Sequence, residues 1–278
     1  MDEKEKRSEP VRFVRAYRIS THGGAVEPIG EEVCAVEEVA VTIDVEGMET
    51  YTLLCTPSDL LAMAAGFLFT EGVVDHRDEI AVLKACDDDP NTIRVRLSDA
   101  ASGARLGDEG RNLLIVSSCG ACGSENLEKR IDALPAVGNS LAVKAGVLRS
   151  VYAALRDRQP LFKASGGAHA AAVFNPGGVI IGSAEDAGRH NALDKAIGKC
   201  LLSGTATAGT GVALTSRLSL EMVGKCARAG VELIAAVSAP TSLAIDVADR
   251  CNITLCAFVR ETRATVFTHP QRVVGTAA

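Results

Sequence analysis

Cys119 and Cys122 stand in the segment LLIVSSCGACGSENLEKR, a C-x-x-C pair with glycine at positions 120 and 123. The apolar run ahead of the pair reads as a strand and the residues from about Ser124 as a helix, which puts both cysteines on the connecting loop. Glycine lets that loop turn tightly and leaves the sulfur atoms uncovered. Unpaired N–H groups at the start of a helix favour thiolate over thiol, so a cysteine held there becomes nucleophilic. The spacing alone admits redox chemistry, half of a zinc site, sulfur carriage, or two partly buried thiols. A structural zinc site is disfavoured because no second C-x-x-C and no H-x-x-x-H completes four ligands. A thioredoxin-like site would sit early in the chain beside a βαβ pattern, with a residue such as proline between the cysteines, and the context here fits poorly.

A second group of residues suggests an anion site. The run GVALTSR, LSLEMVGKCARAG, VELIAAVSAP, TSLAIDVADRCN, ITLCAFVR reads strand, helix, strand, helix, strand. Leu220, Val223 and Ala227 share a helix face, Gly230 closes that helix, and the strands are nearly continuous apolar runs. This predicts a parallel βαβαβ unit with right-handed crossovers. Ligands of such sheets collect beyond the carboxyl ends of the strands, and those ends carry Thr215, Ser216 and Arg217, then Ser238 and Thr241, then Arg260 and Arg263. Helix N-termini near 216–219 and 240–242 would add N–H donors, and an arginine could grip a phosphate in bidentate fashion. The alternative is that the arginines are solvated surface charges. Two further segments, SGGAHAAAVF and EDAGRHNALDK, place His169 at a strand start after a glycine pair, and put Asp186, His190 and Asp194 on one face of a helix if it starts near Asp186. His190 is a candidate acid/base or a surface histidine in a salt-bridge cluster that could include Lys195.

The elements that must position these groups fall into two expected parts. Residues 1–10 read as disordered, 11–110 as a small α+β domain, and 111–278 as a larger α/β domain with the C-x-x-C loop at its start. In the first part VCAVEEVAVTIDV and YTLLCT read as strands, with Glu46 to Glu49 as a hairpin turn. Ser58 and Asp59 offer an N-cap for LLAMAAGFLFTEG, which ends at Gly72. A helix or turn is expected around 76–83, a strand at TIRVRLS, and a linker in DAASGARLGDEGRN.

Composition narrows the classes. Hydrophobic residues make up 47% of the 278 while aromatics are 4% and tryptophan is absent, so Ala, Val, Leu and Ile must build the core. A net charge of -6 argues against non-specific binding to nucleic acid or to an anionic membrane surface. No stretch supplies the roughly 20 apolar residues of a membrane helix, and the charged N-terminus lacks the apolar region of a secretory signal, so a cytoplasmic location is expected. In that compartment nine cysteines mean packing, metal or chemistry rather than a disulfide framework. Cys55, Cys226 and Cys256 read as core, while Cys200 and Cys251 stay open.

Together SSCGACG, SGGAHAAAVF, EDAGRHNALDKAIGK, SRLSLEMVGKCARAG, SAPTSLAIDVA and CAFVRETRATVFTH resemble the formate dehydrogenase accessory sulfurtransferase (FdhD) family, from about residue 14 onward. The resemblance implies a cytoplasmic homodimer that takes sulfur from a cysteine desulfurase and passes it to the bis-guanine-dinucleotide molybdenum cofactor destined for formate dehydrogenase. It implies that Cys119 carries the persulfide and Cys122 assists. It also implies that Phe258, Val259, Arg260, Glu261, Thr262 and Arg263 hold the cofactor, bound as substrate, with no catalytic metal of the protein's own. The fold it implies is α/β, a small N-terminal α+β domain followed by a cytidine-deaminase-like three-layer domain. The deaminase zinc pattern is missing, because Ala-Ala follows His169 and no Pro-Cys-x-x-Cys comes after it. The rival readings are a non-catalytic nucleotide- or cofactor-binding chaperone of formate dehydrogenase and a thiol–disulfide oxidoreductase.

Overall fold

The computed structural model describes residues 9–19, 21, 29–98, 128, 129 and 131–275. The loop with Cys119 and Cys122, the expected linker, the expected domain boundary near 110 and most of the N-terminal segment therefore lie outside the described residues. The protein is mixed α/β.

Strands β1 (Val11–Arg18) and β2 (Ile29–Val36) pair antiparallel as a two-stranded ribbon. Next, β3 (Val39–Val45) and β4 (Thr50–Cys55) form the expected hairpin, whose turn includes Gly47 at φ 73°, a conformation that costs glycine little. With β5 (Ile80–Ala85) and β6 (Thr92–Leu97) they make a four-stranded sheet in the order β4-β3-β6-β5. Helix α1 (Leu60–Thr70) covers it through Met63, Ala64, Phe67 and Leu68, against Val41, Ile43, Ile93 and Val95.

Two local expectations fail here. Only Arg77–Glu79 is helical in the segment read as helix or turn, and Ile80 to Leu83 belong to β5, because pairing with β6 satisfies a backbone that three residues of 3-10 helix could not. Asp59 stands at the N-cap of α1 but makes no capping bond. Its φ is 53° and its carboxylate pairs instead with Lys199 at 2.7 Å.

Beyond the cysteine segment come β7 (Val143–Lys144), α2 (Ala145–Asp157), α3 (Pro160–Ser165), β8 (His169–Phe174), β9 (Ile180–Asp186) and α4 (Arg189–Leu202). The predicted parallel unit follows as β10 (Gly211–Leu214), α5 (Leu220–Arg228), β11 (Leu233–Ala236), α6 (Ser242–Arg250) and β12 (Thr254–Ala257), with β13 (Thr265–Val266) and β14 (Val273–Val274) closing the chain. Strands β10, β11 and β12 are parallel neighbours, and the six-stranded order is β13-β12-β11-β10-β8-β9. Side chains alternate across this sheet, as strand geometry requires. Ala171, Val173, Val212, Leu214, Ile234 and Leu255 pack with α4, α5 and α6 on one face. Ala170, Ala172, Ala213, Ala235 and Cys256 pack with Leu148, Val151 and Leu155 of α2 on the other.

Helix α1 joins the two sheets by lying directly on α4. A Cβ on Gly198 would overlap the Ala62 carbonyl oxygen and stand 2.8 Å from the Gly66 nitrogen, while one on Gly66 would overlap the Asp194 carbonyl oxygen. Glycine is thus the residue that lets these backbones meet. Two buried ion clusters tie the same junction. Lys225 Nζ lies 2.7 Å from Glu71 Oε1 and 2.9 Å from Asp194 Oδ2, and donates to Thr70 Oγ1 at 2.9 Å. Lys195 Nζ lies 2.6 Å from Asp186 Oδ2 and donates to the Thr56 carbonyl at 2.8 Å.

Candidate functional site

Strands β10, β11 and β12 end at Leu214, Ala236 and Ala257. Because β8 runs antiparallel to β10 and β9 antiparallel to β8, His169 and Asp186 reach the same edge of the sheet. Every polar residue singled out at the strand ends therefore lies along one edge, as the open-sheet rule requires.

The chain leaving β12 forms a strap over that edge. The Val259 N–H donates to the Ala236 carbonyl at 3.1 Å, and the Arg260 N–H closes a turn onto the Arg263 carbonyl at 2.7 Å. Arg260 Nη1 donates to the carbonyls of Val237 (2.6 Å) and Val259 (2.8 Å), which fixes the guanidinium against the end of β11. Between the strap and α2 lies a cavity of about 1030 Å³, whose sheet side is Thr215, Val237, Val259, Arg260, Glu261 and Thr262. Cavities of this size take small-molecule ligands. A smaller one of about 500 Å³ lies beside it and is lined by Arg263 among others.

The residues predicted from sequence thus divide. Val259, Arg260, Glu261 and Thr262 line the larger cavity, and Arg263 lines only the smaller. Phe258 lines neither; it has φ 53° and its ring tilts against Phe267 at a centroid distance of 6.3 Å. Thr215 lines the cavity, but Ser216 donates to the Arg217 carbonyl and Arg217 itself is exposed outside the lining. Thr241 caps α6 by accepting from the Ala244 N–H at 3.2 Å. The opposite wall is α2, with Arg149 and Arg156, and the buried Gln159 follows it. The sequence reading missed this wall. Its signal was available in AGVLRSVYAALRD, where two arginines seven residues apart lie away from the apolar face made by Leu148, Val151 and Leu155.

The histidine segments are arranged differently from the expectation. Asp186 ends β9 and α4 begins at Arg189, so Asp186 and His190 do not share a helix face. Asp186 and Lys195 form a fully buried ion pair rather than a surface network, because two charges this deep persist only when paired and hydrogen-bonded. Burial, reinforced by the neighbouring Arg189 and Lys225 charges, pushes the His190 imidazole down to about 4, so the ring is neutral near pH 7. His169 is shifted down as well, by burial and then by Arg189. Cys55, Cys200, Cys226, Cys251 and Cys256 are buried free thiols, and burial pushes each of them up, which suits packing rather than nucleophilic attack.

Comparison with known proteins decides the family. Residues 36–274 match the FdhD/NarQ family. The chain belongs to that family. Among FdhD/NarQ relatives, the sulfur carrier protein FdhD of Bordetella parapertussis is 37% identical over 261 residues, covering 92% of this chain and 93% of that protein. The sulfur carrier protein FdhD of Xanthomonas campestris pv. campestris is 37% identical over 266 residues, covering 95% and 92%. Among solved structures, a candidate formate dehydrogenase accessory protein from Desulfotalea psychrophila superposes with a TM-score of 0.76 at 25% identity, covering 95% of this chain and 99% of that one. Among the described residues of this FdhD/NarQ chain, no helix is long and apolar enough to cross a membrane.

Proposed function

We propose that this protein is a sulfur carrier that serves formate dehydrogenase, with Cys119 as the carrying residue. The observation behind the reading is the match along nearly the whole chain to relatives named as sulfur carrier proteins. In the first step the Cys119 thiolate attacks the outer sulfur of a persulfide on a cysteine desulfurase. A new S–S bond forms, the donor S–S bond breaks, and the donor cysteine leaves as thiolate. In the second, the Cys122 thiolate attacks the Cys119 sulfur. The outer sulfur departs as hydrosulfide and the two cysteines are left as a disulfide, which an external thiol must reduce before the next round.

The acceptor in this reading is the guanine-dinucleotide molybdenum cofactor, bound as substrate in the cavity under the strap, with Arg260 as one of its anion contacts. The cavity volume and its exposed arginines support that assignment. Holding the acceptor in place is most of what a transfer of one atom requires. The cytoplasm, a homodimer, and a deaminase-like larger domain covering residues 111–278 after a small domain at 11–110 belong to the same proposal.

The test is intact-mass spectrometry of the full chain after incubation with a cysteine desulfurase and cysteine. A reductant-sensitive gain of one sulfur on the wild type that is lost in Cys119→Ala is the expected result. A gain that persists in Cys119→Ala removes Cys119 from the role. No gain on the wild type favours a cofactor-binding chaperone instead.

A further inference from the structure

Helix α2 contributes at least as much to the large cavity as the strap does. Arg149 and Arg156 are seven residues apart, nearly two full turns, so both project from one side of the helix about 10.5 Å apart along its axis. The face beside them is anchored by Leu148, Val151 and Leu155, each arginine lying about 100° around the helix from the leucine before it, which fixes the direction the arginines face. Among the described residues neither arginine forms an ion pair or a side-chain hydrogen bond. Arg260 joins them from across the cavity, against a single lining carboxylate, Glu261. Three unneutralised guanidinium groups around one concavity, in a chain of net charge -6, make a local attraction for an anion with more than one charge.

An independent observation comes from Gln159. This residue is only 7% exposed and lines the cavity, yet its carboxamide has no hydrogen-bond partner among the described residues. The carboxamide is not sealed inside the protein but opens onto the cavity, where a ligand's hydrogen-bonding group can meet it. Tyr152 differs, since its hydroxyl donates to the Leu214 carbonyl at 3.1 Å and is already used. A cavity of about 570 Å³ between α1 and the β5–β6 pair offers no comparable combination, because no arginine lines it, its Lys199 is neutralised by Asp59, and Lys84 stands there as a single cation.

We propose that α2 is the phosphate-recognition wall of this site. Arg149 and Arg156 hold the diphosphate of a nucleotide, and Gln159 hydrogen-bonds its uncharged base or ribose. The strap, with Arg260 pinned to two carbonyls, closes the other side. This assignment rests on the nucleotide-bearing acceptor proposed above and divides its recognition between two elements.

The experiment is isothermal titration of the full-length protein with GDP and with GMP at low and at moderate salt. It compares the wild type with Arg149→Ala, Arg156→Ala, the double variant, Arg149→Lys, Gln159→Leu and Arg260→Ala. Because Arg149 and Arg156 are exposed, their variants should keep the wild-type circular dichroism and Tm. Each alanine is expected to raise the Kd for GDP roughly tenfold or more, the loss for one charge-assisted phosphate contact. The preference for GDP over GMP and the steepness of the salt dependence should shrink together, with partial recovery in Arg149→Lys. Gln159→Leu should weaken both nucleotides by a similar factor and leave the salt dependence unchanged. If the double variant binds GDP as tightly as the wild type while Arg260→Ala loses it, the α2 assignment is overturned and the nucleotide reading stands. If the wild type binds neither nucleotide, the nucleotide reading falls, and this inference with it.

Discussion

Lys225→Met tests whether the junction of the two sheets is a dry charge cluster. The lysine Nζ contacts Glu71, Asp194 and Thr70, all buried, and the Lys225 side chain is only 5% exposed. Methionine fills a similar volume, so packing changes little while Asp194 and Glu71 lose the Lys225 charge. Removing one partner of a buried ion pair costs about 3–5 kcal/mol, a large share of the about 5–15 kcal/mol that holds a typical domain together. With a urea slope of about 3 kcal/mol/M, the midpoint should fall by roughly 1–1.7 M. The chain has no tryptophan, so circular dichroism is the natural probe.

The pH dependence supplies a second arm. Burial already raises Asp194, against the opposing charge and hydrogen bond of Lys225, and without the lysine only the hydrogen bond from Thr70 Oγ1, at 2.8 Å, still opposes that rise. A carboxyl whose folded pKa exceeds its unfolded value of about 3.9 binds more protons when folded, so stability falls as pH rises through that window. The deficit of Lys225→Met should therefore be smaller near pH 5 than near pH 8, and Asp194→Asn added to Lys225→Met should recover more than about 1 kcal/mol. A loss below about 1 kcal/mol, or one that is the same at both pH values, would mean that water reaches the cluster and that the buried-charge reasoning is wrong.

Gly198→Ala gains helix propensity of about 1 kcal/mol but drives a methyl group into the Ala62 carbonyl, so a net loss of about 1–3 kcal/mol is expected in thermal or urea unfolding, and a stabilised variant would show that α1 and α4 are not in backbone contact. His190 titrates near 4 when folded and about 6.5 when unfolded, so between those values the unfolded chain binds the extra proton and up to about 3 kcal/mol is lost on acidification. In His190→Gln that loss between about pH 6.5 and 4 should disappear from the stability profile, and an unchanged acid limb would assign it to other groups.

The sequence alone determined whatever depends on neighbours along the chain. Continuous apolar runs alternating with the face of Leu220, Val223 and Ala227 specified β10 to β12 and their helices, because parallel strands are buried on both sides and helices on one. It also determined that Arg260 and Thr215 would face one edge, since parallel strands put their carboxyl ends together. Tertiary structure decided the rest. Asp59 had the chemistry of a cap, but a lysine from a distant helix took its carboxylate. Asp186, His190 and Asp194 read as one helix face, with Lys195 beside them in a surface salt-bridge cluster as one reading, yet Asp186 lies on a strand and pairs with a buried Lys195, and Asp194 pairs with Lys225 across the α4–α5 junction. The spacing of Arg149 and Arg156 places them together on a helix away from its apolar face, but it does not say what they look onto, and with Gln159 they became candidate ligands only when α2 packed opposite the strap. Spacing encodes which residues share an element, whereas which elements face each other is set by the burial of whole faces, and so the far wall of the cavity had to be seen rather than read.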